Sequence, residues 1–142
     1  MRKLLSMSVV ALSVGVVGVA LAAGQDHPHM GPEDHGENKV FRFPSDLRAG
    51  DCHMDGATLV IHSNGHAVFD SQVWTHTHGT DIWHSTIHLV GPGGEKGGGH
   101  ADSPGMPHDA DGPEHKRGFH YEFDFPPGQF GSITEAWEHG DC

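Results

Sequence analysis

An all-β domain, a small antiparallel meander folded as a sandwich or a partly open barrel with one disulfide, is the fold this sequence predicts. Three observations carry the prediction: a two-residue alternation across 118–125, an Asn-Gly step between apolar runs at 57–69, and a pair of cysteines behind an export-type leader. In the first, Phe119, Tyr121, Phe123 and Phe125 alternate with His120, Glu122 and Asp124. Successive strand side chains point to opposite faces, so the four aromatics share one side of a half-buried strand.

In the second, Ala57–Ile61 and Ala67–Phe69 flank His62-Ser63-Asn64-Gly65. Asn and Gly both tolerate the positive φ of a type I′ turn, so the two runs are expected to pair as a hairpin. Residues 72–78 and 82–90, rich in β-branched and aromatic side chains, flank Gly79-Thr80-Asp81 and are expected to form a second hairpin. Residues 40–43 and 133–137 are shorter strand candidates. Pro44, Pro126 and Pro127 fall just outside strands, where a missing N–H costs nothing.

The third observation begins at the N-terminus. Arg2 and Lys3 precede an uncharged, mostly apolar run ending in Ala20-Leu21-Ala22, the small-x-small step read by a signal peptidase. Residues 1–22 are therefore expected to be a signal peptide, and the mature chain secreted or periplasmic, with no membrane association once the leader is removed. An oxidising compartment and an even cysteine count predict a Cys52–Cys142 disulfide. Loss of Arg2 and Lys3 takes the formal charge from −11 to −13, which argues against nucleic acid as a partner. All 15 histidines lie in the mature part, and with an ordinary pKa of about 6.5 they cancel much of that charge in mild acid.

Composition divides the remainder. Residues 23–39 carry Gly, Pro, His and acidic side chains without apolar periodicity and are expected to be a flexible arm. The β domain then runs over 40–142, interrupted by a Gly/His-rich stretch at 91–117 that is expected to be a disordered insertion.

Phe41-Arg42-Phe43, the run 50–57 around Gly50-Asp51-Cys52, Ile61-His62-Ser63-Asn64-Gly65-His66-Ala67-Val68-Phe69-Asp70, Asp81-Ile82-Trp83 and the terminal Cys142 resemble a family of small secreted bacterial domains of unknown function. The resemblance implies export, a β domain and the Cys52–Cys142 bridge. It implies no activity.

Chemistry is concentrated in the histidines. His76 and His78 fall on one side of a strand, as do His84 and His88, and imidazole is the commonest protein ligand of zinc and copper. Whether the pairs meet depends on register: a three-residue loop at 79–81 sets His76 opposite His84, whereas a two-residue loop sets it opposite Trp83. His76-Thr77-His78-Gly79-Thr80-Asp81 is similar to the copper-ligand strand of copper/zinc superoxide dismutases, but the cysteine and zinc ligands that follow it there are missing here. His120, Glu122 and Asp124 form either an acid/base cluster or a solvated sheet face.

The function expected is that of an exported, non-catalytic β domain binding a divalent metal, zinc or copper, or another small extracellular ligand through histidines. Two alternatives stand beside it: a secreted metalloenzyme with His76, His78, His84 and His88 on the 72–90 hairpin, and an extracellular interaction module. The sequence leaves the oligomeric state open.

Overall fold

The computed structural model describes residues 24–77, 81–106 and 116–142. The expected signal peptide, His78 and residues 107–115 of the expected insertion lie outside the described residues. Among the described residues ten strands follow in order: β1 Gln25–Asp26, β2 Glu33–Asp34, β3 Asn38–Arg42, β4 Leu47–Ala49, β5 Cys52–His62, β6 His66–Thr75, β7 His84–Gly91, β8 Gly94–Asp102, β9 Arg117–Asp124 and β10 Glu135–Asp141. A 3-10 helix spans Pro127–Ser132. Two antiparallel sheets result, β1-β10-β7-β8 and β2-β3-β5-β6-β9, with β4 paired to β5. They stack as a sandwich rather than closing into a barrel.

The alternation in β9 does what its pattern predicts. Phe119, Tyr121 and the following Phe125 are buried, Phe123 is half-buried, and His120, Glu122 and Asp124 face outward. Opposite them, the inner face of the other sheet supplies Ile87, Leu89 and Ala136, with Phe41, Leu59, Ile61 and Phe69 completing the core. Each such fully buried Leu, Ile or Phe contributes about 1.5–3 kcal/mol by leaving water. Tyr121 reaches across the sandwich to the buried Ser85, hydroxyl to hydroxyl at 3.1 Å.

Strands β5 and β6 form the first expected hairpin, with Ile61 opposite Ala67. The turn differs from the expected type I′. It holds three residues, 63–65, and only Gly65 has positive φ, at +90°. This is the longer hairpin loop in which a final left-handed residue restores the ladder. A Cβ on Gly65 would stand 2.5 Å from the Phe125 carbonyl oxygen.

The second expected hairpin is not formed. Strand β6 has β5 on one edge and β9 on the other, and a strand has only two edges, so β7 joins the opposite sheet between β10 and β8. The chain crosses between the layers after Thr75, and Trp83 enters the core with no exposed surface.

Parts of two segments expected to lack regular structure are strands. Within 23–39, β1 pairs with β10, β2 pairs with β3, and Met30 bridges Ala136. Within 91–117, β8 pairs along all of β7 and Met106 is fully buried. Backbone ladders, together with a few buried side chains, order these strands, and a composition poor in apolar residues conceals them. Gly99 shows why glycine is present in β8: a Cβ there would lie 2.3 Å from the Phe123 ring.

Cys52 begins β5 and Cys142 follows β10, so their bond, with a Cα–Cα distance of 6.1 Å, joins one sheet to the other across 90 positions. The expected bridge is present.

Candidate metal-binding surface

Strand pairing sets histidines opposite carboxylates. Of the twelve described histidines, eight direct Nδ1 at an Asp or Glu oxygen within 2.5–3.0 Å: His27, His29, His53, His66, His84, His88, His120 and His139. An ionised carboxylate only accepts, so Nδ1 carries the hydrogen, and a neutral ring keeps its lone pair on Nε2. A ring held that way is oriented as a ligating histidine is by its carboxylate partner.

The outer face of the β1-β10-β7-β8 sheet carries the densest set. His84 pairs with Asp102 across the β7–β8 ladder, Nδ1 to Oδ1 2.6 Å, while His100 Nε2 lies 3.6 Å from the same oxygen. His100 Nδ1 and Thr86 Oγ1 share a hydrogen bond of 3.0 Å, which either group can donate. Further along, His88 stacks on Trp137 at 3.9 Å, and His29 stacks on it at 5.5 Å, both with ring planes 8° apart. Strand β10 lies between β7 and β1, so the two imidazoles cover opposite faces of the indole. Glu95 and Glu135 accept from His88 and His29, and Asp26 from His139.

On the outer face of the other sheet, His66 contacts Asp124 at 3.0 Å and Glu122 at 3.3 Å, and His120 contacts Asp70 at 2.6 Å and Glu122 at 3.4 Å. The hydrogen bond to Asp124 raises the His66 pKa above its ordinary value, and that to Asp70 does the same for His120. His62 donates Nδ1–H to Asn38 Oδ1 at 2.6 Å.

One pair is interior. Glu138 points into the sandwich with no exposed surface, accepting from His27 Nδ1 at 2.5 Å and from Trp83 Nε1 at 2.9 Å. His27 Nε2 lies 3.1 Å from the Arg48 carbonyl oxygen. Both ring nitrogens face acceptors, so the protonated ring is the form that satisfies the site. Burial acts to lower the His27 pKa, but the bonds to Glu138 and the Arg48 carbonyl outweigh it and hold the pKa above the ordinary value.

Of the four histidines predicted as one site, the three described, His76, His84 and His88, are not all on one hairpin. His76 stands edge-on to His53 and Trp74, at 4.8 and 4.6 Å. His53 stacks on Trp74 at 3.9 Å and contacts Asp46 at 2.6 Å. His78 lies outside the described residues. His84 and His88 do share the outer face of β7, but in the other sheet, because β7 does not pair with β6. The sequence offers His100 only as a weak ligand in a flexible stretch and does not single out Asp102, because 91–117 reads as disordered; the alternation His100-Ala101-Asp102 is its one strand-like cue. Among the described residues one group, Cys52, Asp81 and Cys142, brings its ligand atoms within 4.8 Å of one another, but both sulfurs are committed to the disulfide. Asp81 instead accepts from Thr75 and Thr77, which lowers its pKa.

The signature of a family of unknown function, DUF6294, matches residues 58–142. The chain belongs to that family. The DUF6294 match contains β7, β8, β9 and β10 entire, hence His84, His100, Asp102 and Glu138, while β1 to β4, His27 and Cys52 precede it. No curated protein and no solved structure matches the chain.

Proposed function

We propose that this DUF6294 protein is an exported, non-catalytic β-sandwich domain that takes up divalent zinc or copper through surface imidazoles. The observation carrying the reading is the recurrent Nδ1-to-carboxylate pairing on both outer faces, which fixes the rings and, at His29, His88 and His139, leaves Nε2 to coordinate. Export is supported by the leader-like residues 1–22 and by a disulfide, a bond that persists outside reducing compartments. The paired histidines are spread across two sheet faces, a layout suited to binding more than to one reacting centre.

The test is metal analysis and calorimetric titration of the untagged, disulfide-bonded protein with zinc and copper(II). Uptake is expected at neutral pH and is expected to fade as pH falls below about 6.5, where protons compete for the imidazoles. Absence of uptake at pH 7.5 would overturn the reading.

A further inference from the structure

We infer that His84, His100 and Asp102, on the outer face of the β7–β8 hairpin, form one ordered site for a divalent cation of the zinc class, tighter than the other surface imidazoles. The inference rests on the metal-uptake reading above and adds where the ordered ion sits.

Convergence on one atom carries it. His84 Nδ1 and His100 Nε2 approach the same Asp102 Oδ1, at 2.6 and 3.6 Å, from two paired strands. Two imidazole nitrogens and one carboxylate oxygen are a donor set used by zinc and by other divalent transition metals, with further positions left to water or an exogenous ligand. The ladder fixes where the three side chains start: His84 faces Asp102 directly, and Thr86 faces His100 one step along the same side. The 3.0 Å hydrogen bond between Thr86 Oγ1 and His100 Nδ1 holds that ring with Nε2 toward Asp102, and in the tautomer with the hydrogen on Nδ1 the lone pair is on Nε2.

Binding replaces hydrogen bonds rather than filling a preformed cage. The His84 and His100 nitrogens lie more than 4.8 Å apart, so a cation draws them together by rotation of exposed side chains while the strands stay in register. Donors bonded to one tetrahedral zinc at about 2.0–2.2 Å lie roughly 3.3 Å apart. The 2.6 Å contact therefore opens and the 3.6 Å contact closes, each by less than about 1 Å, while the two histidine nitrogens, more than 4.8 Å apart, close by at least about 1.5 Å. Coordination through His84 Nδ1 moves the hydrogen of the neutral ring to Nε2, and a ring protonated on both nitrogens must first release a proton, so uptake weakens in acid.

Access is open on one side. Gly98 faces outward opposite His88 and presents no side chain, leaving a groove of about 370 Å³ beside His100, bordered by Thr86 and Glu95. The opposite sheet's array is less compact: His66 and His120 both approach Glu122 but on its two different oxygens, and each is already engaged by its own aspartate.

The experiment is calorimetric titration of zinc chloride into the untagged, disulfide-bonded protein and into variants, with imidazole NMR signals followed in parallel. Wild type is expected to show one tight class ahead of weaker uptake, with His84 and His100 shifting first. His84→Ala and His100→Ala should each weaken the tight class at least about tenfold, and Asp102→Asn, which preserves the shape of the side chain, should do the same. His66→Ala and His120→Ala should leave it unchanged. A tight class that survives the three β7–β8 substitutions, or wild-type uptake with no tight class, overturns this site while leaving general metal uptake standing. Wild type taking up no zinc overturns both.

Discussion

His27 and Glu138 meet inside the sandwich from positions 111 residues apart, imidazole Nδ1 to carboxylate Oε2 at 2.5 Å, with the Trp83 indole N–H on the second oxygen. The pair fastens the first strand to the last. His27→Ala would leave a buried carboxylate with one partner fewer, and the expected loss is about 3 kcal/mol, read from urea unfolding at pH 6. Replacing both residues with apolar ones of similar volume, by contrast, should recover much of that loss.

The same pair predicts a pH dependence with a definite sign. The His27 pKa is raised above 6.5 in the folded protein, so its stabilisation is complete below 6.5 and is lost as pH rises through the higher folded value. The stability gap between wild type and His27→Gln should accordingly narrow between neutral and alkaline pH. A gap constant from pH 5 to 9 would contradict a protonated His27.

Reduction of the Cys52–Cys142 bond removes a constraint on a loop of 90 positions, for which chain-entropy accounts give about 4 kcal/mol. A large fall in Tm on adding dithiothreitol, reproduced by Cys142→Ser, is the expected outcome. An unchanged Tm would show that the two sheets hold without their bridge.

Gly99 tests whether β8 is integral to the sandwich. A Cβ there meets the Phe123 ring at 2.3 Å, so Gly99→Val should cost about 1–3 kcal/mol or more by overpacking. Replacing 91–117 with a short turn should cost still more, because it strips β7 of one paired edge and removes the buried Met106. Wild-type urea stability in both variants would return this segment to the status of a loop.

His66 and His120 should titrate above the ordinary histidine value in NMR. Asp124→Asn should bring His66 back toward 6.5, and Asp70→Asn should do the same for His120, each without moving the other as far. Identical midpoints in wild type and variants would show that the pairing does not persist in solution.

Much of the fold was legible because it is written in short-range patterns. The alternation in β9, the Asn64-Gly65 turn and the cysteine pair each need only neighbouring residues or simple counting, and each reappears in the structure, the turn with one residue more than the two-residue form. The candidate site was legible only in part. His84 stood out as a histidine on a strand, whereas its partners Asp102 and His100 sat in a segment whose glycines suppress every apolar cue.

By itself, the sequence determined the strand-rich class, the buried face of β9 and the chemical identity of the available ligands, since side-chain period and composition are local properties. Only the tertiary structure decided that β7 leaves β6 for the other sheet, and that β1 and β8 order at all. Those outcomes depend on which edges are already occupied and on backbone hydrogen bonds that any residue but proline can donate. The pairing of His84 with Asp102, and of His27 with Glu138, follows from cross-strand register across 18 and 111 positions, a quantity no local pattern encodes.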